Sequence, residues 1–393
     1  MLVKSKLLLI TVIVYSIPLF AQDRATRAIW KDAEQQVRLL YKESADKRVK
    51  QLAFPRSLNG DTVKLVASND WTSGFWPGIL WFMYEYTGKP EWKTKAAEFT
   101  ALMEKEPANR NSHDVGFKVY NSYGNGYRLT GDETYKKLVL KGAATLATRF
   151  NPVTGCIKSW DFPQWQYPVI IDNMMNLEIL FAATRLSNDS SFYKIAVSHA
   201  NTTLKNHFRP DFSSYHVVDY DSITGKPIGK STHQGYAKES AWARGQAWAL
   251  YGYTMCYRET KDITYLKQAE QVAAFLLNNP DMPADKIPYW DFNAPDRANQ
   301  PRDASAAAIM ASAFYELKNY SLQGKRYRKA ADMIMKNLVA YYRSPVNENK
   351  GFILLHSTGN KPANGEVDVP IIYADYYFLE ALLRKTNKKP VYN

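Results

Sequence analysis

Two aspartates stand where acid–base chemistry could be done. Asp172 follows the apolar run Val169-Ile-Ile and precedes Asn173-Met-Met-Asn-Leu, the opening of an apolar helical stretch. Burial disfavours the charged form of a carboxyl group and raises its pKa, so Asp172 could hold a proton near neutral pH and deliver it. Asp114, in Ser112-His-Asp-Val-Gly, opens the preceding apolar stretch. Both positions suit a helix N-cap equally well, with the carboxylate accepting from the first amides of the helix. The two roles are compatible, and two carboxyls at close range would also push one pKa up.

The surrounding polar and aromatic residues use the vocabulary of sugar recognition. Arg244 precedes Trp248 by four residues, which puts a guanidinium and an indole on one helical face, an arrangement suited to a planar carboxylate. An Arg that braces neighbouring loops is the competing reading, because a charge in so apolar a helix needs a partner. Trp71, Trp160 and Tyr373 are candidate platforms for the C–H face of a sugar, whereas Trp76 and Trp81, at helical spacing, belong with the core. The chain has no Gly-rich phosphate loop, His-Glu-x-x-His zinc motif, Gly-x-Ser-x-Gly elbow or dinucleotide fingerprint. No metal and no organic cofactor is expected. Cys156 and Cys256 are the only cysteines, too few for a disulfide framework or a cysteine metal site.

These residues need a scaffold, and a recurring segment supplies it. Thr87-Gly-Lys-Pro-Glu-Trp92, Thr130-Gly-Asp-Glu-Thr-Tyr135, Ser187-Asn-Asp-Ser-Ser-Phe192, Thr260-Lys-Asp-Ile-Thr-Tyr265 and Leu322-Gln-Gly-Lys-Arg-Tyr327 each read as a helix end followed by a helix start. Periodicity around them predicts twelve helices in six pairs: 24–44 with 72–88, 90–104 with 117–130, 132–149 with 172–186, 189–206 with 240–260, 262–279 with 303–320, and 323–344 with 370–386. The first member of most pairs is amphipathic and Lys-rich, as an outer helix should be. The second is apolar nearly all round, as an inner one should be. The expected fold is all-α, an (α/α)6 barrel in one domain over 23–393, with the long connections within pairs gathered at the mouth of the inner ring.

The ends and the charge bear on where and on what such a barrel acts. Lys4 and Lys6 precede an uncharged apolar run from Leu7 to Phe20, with Ala21 after it, so Met1–Gln22 reads as a cleaved export signal. The run is too short for a membrane anchor. A periplasmic or secreted monomer is the expectation. The formal charge of +13 is scattered, which suits acidic saccharides better than nucleic acid in an exported protein, although a merely solvated Lys-rich surface would read the same.

Six ordered motifs make the chain resemble the unsaturated glucuronyl hydrolases of glycoside hydrolase family 88. They are Trp71-Thr-Ser-Gly-Phe-Trp-Pro-Gly, Ser112-His-Asp-Val-Gly-Phe, Ile170-Ile-Asp-Asn-Met-Met-Asn-Leu, Gln234-Gly-Tyr with Ser240-Ala-Trp-Ala-Arg-Gly-Gln-Ala-Trp, Asp303-Ala-Ser-Ala-Ala-Ala, and Ile372-Tyr-Ala-Asp-Tyr-Tyr. The resemblance spans nearly the whole mature chain and implies the same (α/α)6 barrel. It further implies hydration of the C4=C5 double bond in an unsaturated uronic acid at the end of a polysaccharide-lyase product. By this resemblance Asp172 is the general acid and base, Asp114 is the second acid, and His216 and Gln234 hold substrate or water; His113, beside Asp114, is a further candidate for substrate binding. Residues His356, Ser357 and Lys361 could bind a sulfate on the neighbouring sugar, against the plainer reading of a solvated loop. Competing assignments are an unsaturated rhamnogalacturonyl hydrolase of the same fold, a non-catalytic oligosaccharide-binding barrel, and a sugar epimerase, whose paired catalytic histidines are not seen.

Overall fold

The computed structural model describes the backbone of residues 3–46 and 51–386 and the side chains from residue 24 onward. The export signal read in Met1–Gln22 lies outside the residues with described side chains. Helices α1 (Val3–Ala45), α3 (Pro90–Ala101), α5 (Glu133–Ala147), α8 (Ser190–Asn206), α10 (Ile263–Asn278) and α12 (Gly324–Asn337) are exposed on one side. Between them run α2 (Phe75–Thr87), a π-helical segment Gly116–Gly124 continued by α4 (Asn125–Thr130), α6 and α7 (Asn173–Asn176 and Glu178–Ser187), α9 (Ala243–Thr260), α11 (Ala304–Leu317) and α13 (Ile372–Thr386). Each of this second set packs on the next, and α13 packs back on α2, which closes an inner ring. The expected six-pair barrel is therefore the observed one. Among the described residues no helix is long and apolar enough to cross a membrane.

The recurring segments are the tight turns from an inner helix to the next outer one. Gly88, Gly131, Asn188 and Lys261 take the left-handed conformation that ends a helix and donate their N–H back to its last turn. Asp132, Asp189 and Asp262 then cap the following helix, each accepting from the amide two residues on. With every short turn at the C-terminal ends of the inner helices, the long connections must gather at their N-terminal ends. Those connections contain short antiparallel strands that helical periodicity cannot reveal: β1 (Phe54–Asn59) with β2 (Thr62–Val66), β3 (Phe150–Asn151) with β4 (Cys156–Ile157), and β5 (Pro168–Ile170), β6 (Val217–Tyr220) and β7 (Pro227–Ser231) in one sheet.

Close approach between inner helices fixes the two acid-bearing segments. A Cβ on Gly116 would lie 2.6 Å from Asn176 Oδ1 and 2.7 Å from the Asn176 Cα, while that same Oδ1 accepts the Phe117 amide at 3.0 Å. Glycine is required there because the backbones touch. Gly116→Ala should cost about 1–3 kcal/mol, as overpacking does, and should lower activity further by spreading Asp114 from Asp172. Urea denaturation together with turnover at a fixed folded fraction would check both parts.

Candidate active site

At the N-terminal ends of the inner helices an inner chamber of about 70 Å³ is lined by Trp71, His113, Asp114, Phe117, Trp160, Ile170, Asp172, Gln234 and Arg244. It shares Trp71, Trp160, Gln234 and Arg244 with an outer vestibule of about 330 Å³, whose rim includes Arg56, Lys64, Phe162, His233 and Glu366. Helix N-termini carry partial positive charge, so this end of the ring favours an anion. A third cavity, of about 350 Å³ at the opposite end, is lined by Tyr120, Tyr127, Arg128 and Arg185. Its arginines pair with Glu85 and Glu259, and no acid lines it.

Asp172 stands at the N-cap of α6, yet its side chain accepts none of the helix amides. Its carboxyl is therefore available to a substrate. Burial raises its pKa to about 7, outweighing the lowering effect of Arg244, while the charge of Asp114 adds to the rise. Asp114 is likewise no cap. It accepts from Ser112 Oγ at 2.5 Å, and His113 Nε2 lies 3.3 Å from its other oxygen. Burial lowers the pKa of His113, which favours the neutral ring.

His216 is brought to Asp172 by strand register. β5 pairs Ile170 with Val217, and the Ile171 amide donates to the His216 carbonyl at 3.0 Å. His216 Nδ1 accepts the amides of His233 at 3.1 Å and Gln234 at 3.3 Å. A nitrogen that accepts carries no proton, so the ring N–H is at Nε2, 3.6 Å from Asp172 Oδ2. Burial pushes the His216 pKa well below its usual value, and the ring stays neutral.

Arg244 braces neighbouring loops, as its competing sequence reading has it, and it also faces the site. It is buried, donates to Asp303 Oδ2 at 2.9 Å, Thr358 O at 2.5 Å and Gly359 O at 2.6 Å, and still borders both cavities. Gln234 Nε2 donates to the same Gly359 carbonyl at 3.1 Å. Asp303 is fully buried, so Arg244→Ala would strand its charge and should destabilise the fold by about 3–5 kcal/mol. Thermal melting checks this independently of activity.

The aromatic expectations divide. Trp71 and Trp160 line both cavities, and Trp160 joins Phe162, Trp165 and His233 in a cluster with ring centroids 5.2–5.6 Å from its own. Trp76 and Trp81 are core, as expected. Trp248 lies off both cavities, and Tyr373 reaches only the outer one. Trp248 is fully buried between Phe117 and Tyr377. Tyr373 is fully buried beneath Trp71 and the Arg244 guanidinium, touching only the outer vestibule.

The sulfate cluster does not form either. Ser357 is fully buried, His356 pairs with Asp368 at 2.7 Å, and neither they nor Lys361 borders either site cavity. Besides Arg244, the vestibule is lined by Arg56 and Lys64 of the β1–β2 hairpin, both paired with Glu366, and the first also with Asp70. Nothing in their sequence setting marked them. His233 was missed although it neighbours Gln234.

The model of Glycosyl Hydrolase Family 88 matches residues 41–388. The chain belongs to glycoside hydrolase family 88. It is 52% identical over 340 residues to an unsaturated glucuronyl hydrolase of Formosa agariphila, covering 85% of each chain. It is 33% identical to an unsaturated chondroitin disaccharide hydrolase of Streptococcus pneumoniae, covering 89% of this chain and 93% of that one. The crystal structure of an unsaturated glucuronyl hydrolase specific for heparin superposes with a TM-score of 0.88 at 47% identity, covering 93% of this chain and 99% of that one. A family-88 member of this architecture is a glycoside hydrolase.

Proposed function

We propose that this hydrolase removes a 4,5-unsaturated glucuronyl residue from the non-reducing end of lyase-generated oligosaccharides by hydrating its C4=C5 bond, with Asp172 as the acid. The observation that carries the assignment is a buried, uncapped carboxyl with a pKa of about 7 in a chamber that also holds Arg244. Protonated Asp172 gives its proton to C4, and positive charge develops at C5 and the ring oxygen. The resulting carboxylate takes a proton from water as the water oxygen bonds to C5. The hemiketal so formed opens, and the neighbouring sugar leaves with its oxygen. Asp114 disfavours the charged form of Asp172 beforehand, Arg244 and the helix N-termini hold the uronate carboxylate, and the Nε2–H of His216 fixes Asp172 or the water.

The vestibule would take the next sugar, and we assign that sugar to the sulfated class, glycosaminoglycan or rhamnose-linked, on the strength of Arg56 and Lys64 at the rim. The export pattern at the N-terminus supports action in the periplasm. The test is a panel of lyase-made disaccharides differing in the second sugar and its sulfation, followed by loss of the conjugated-alkene absorbance. No turnover of any member would overturn the proposal, and indifference to sulfation would overturn the aglycone assignment.

A further inference from the structure

Asp291, in the long connection between α10 and α11, has no part in the mechanism above. It is 1% exposed and borders neither site cavity. A buried carboxylate needs donors around it. Its Oδ2 accepts the Tyr236 amide at 2.9 Å and Ser240 Oγ at 2.7 Å, and its Oδ1 accepts the Asn293 amide at 2.9 Å. Its backbone bridges to Trp242, and the Phe292 and Ala243 amides tie the two segments together from either side.

What Asp291 holds is the loop that orients His216. Gly235 donates to Thr232 Oγ1 at 2.7 Å, and a Cβ on Gly235 would meet Thr232 Oγ1 at 2.6 Å and Asp291 Oδ2 at 3.1 Å. This tight turn aims the His233 and Gln234 amides together at His216 Nδ1. If the turn drifts, Nδ1 loses its two donors and the proton is no longer confined to Nε2, the nitrogen facing Asp172. We infer that Asp291 is a positioning residue for catalysis, acting through the 232–240 loop to hold His216 in its Nε2–H tautomer and aimed at the acid. The inference rests on the hydration reading for its kinetic consequence, but not for the tautomer it assigns.

The experiment is a double-mutant cycle between Asp291→Asn and His216→Asn, with nitrogen NMR of the histidine rings in the Asp291 single variant. Asp291→Asn should lower kcat by roughly tenfold to 100-fold, as misplacement of a supporting group does. KM should change far less, the variant should add little further loss in the His216→Asn background, and the His216 resonances should show mixed tautomers. Equal losses in both backgrounds, a loss in KM alone, or an unchanged tautomer would overturn the inference. Should Asp291→Asn fail to fold, Gly235→Ala perturbs the same turn and is read by the same cycle. If Asp172→Asn retains turnover, the hydration reading fails, and the tautomer measurement still decides the link between Asp291 and His216.

Discussion

Asp172→Asn is expected to fold and to bind an unsaturated disaccharide, yet to lose turnover by roughly 100-fold or more, the scale of a lost general acid/base. The amide keeps the size of the carboxyl, and the Asp172 side chain caps no helix amide, so α6 should be undisturbed. Calorimetric titration with intact substrate would establish binding, and alkene loss would establish turnover. Asp114→Asn should also be impaired, by removing the charge that helps keep Asp172 protonated. In the wild type the acid must carry its proton, so the rate should fall as pH rises through about 7. Near-native activity in Asp172→Asn would refute the assigned acid.

The same ionisation affects stability. The folded-state pKa of about 7 lies above the unfolded value of about 3.9, so between those values the folded chain holds a proton that the unfolded chain has lost. The associated stabilisation is complete below the lower value and is lost as pH rises through the upper one. At pH above that window the wild type buries a charge, whereas the Asn variant does not. Asp172→Asn should therefore be the more heat-stable protein under alkaline conditions, and the difference should shrink on acidification. Such an inverse relation between activity and stability is expected of a residue held in an unfavourable environment for its chemistry.

The ring was legible because its helices repeat a physical requirement. Outer helices need one wet face and inner ones none, and Gly131-Asp132, Asn188-Asp189 and Lys261-Asp262 mark three of the crossings between them. Strands of two to six residues leave no such period, so the sheet that brings His216 to Asp172 was invisible, and His216 was reached only through family resemblance. Asp172 was legible by its apolar flanks and Asp114 by its place at the head of an inner helix, while their apparent capping role was settled only by where the carboxyls point. Trp248 misled because an aromatic at helical spacing has the same signature whether it faces a sugar or supports a neighbour. Arg56 and Glu366 are 310 residues apart, and a charge on a hairpin looks like any surface charge until the fold pairs it.

A uronoside identical to the substrate but saturated at C4 and C5 should be left intact by the wild-type enzyme under conditions that consume the unsaturated form completely. Ordinary glycoside cleavage protonates the leaving oxygen and uses a second carboxylate as nucleophile or base on the opposite face of the anomeric carbon. Here the assigned acid protonates carbon, and the bond to the departing sugar breaks only after water has added at C5. Without the alkene, C4 offers no electron pair to accept the proton, and no charge develops at C5 for water to attack. The saturated compound keeps the carboxylate and hydroxyls that Arg244 and the helix N-termini would hold, so it should bind and inhibit competitively. Heavy water gives the complementary readout, since hydration places a solvent deuteron on C4, which ordinary glycoside cleavage does not. Cleavage of both compounds alike, or a product without the deuteron at C4, would show that Asp114 and Asp172 work as a conventional glycosidase pair.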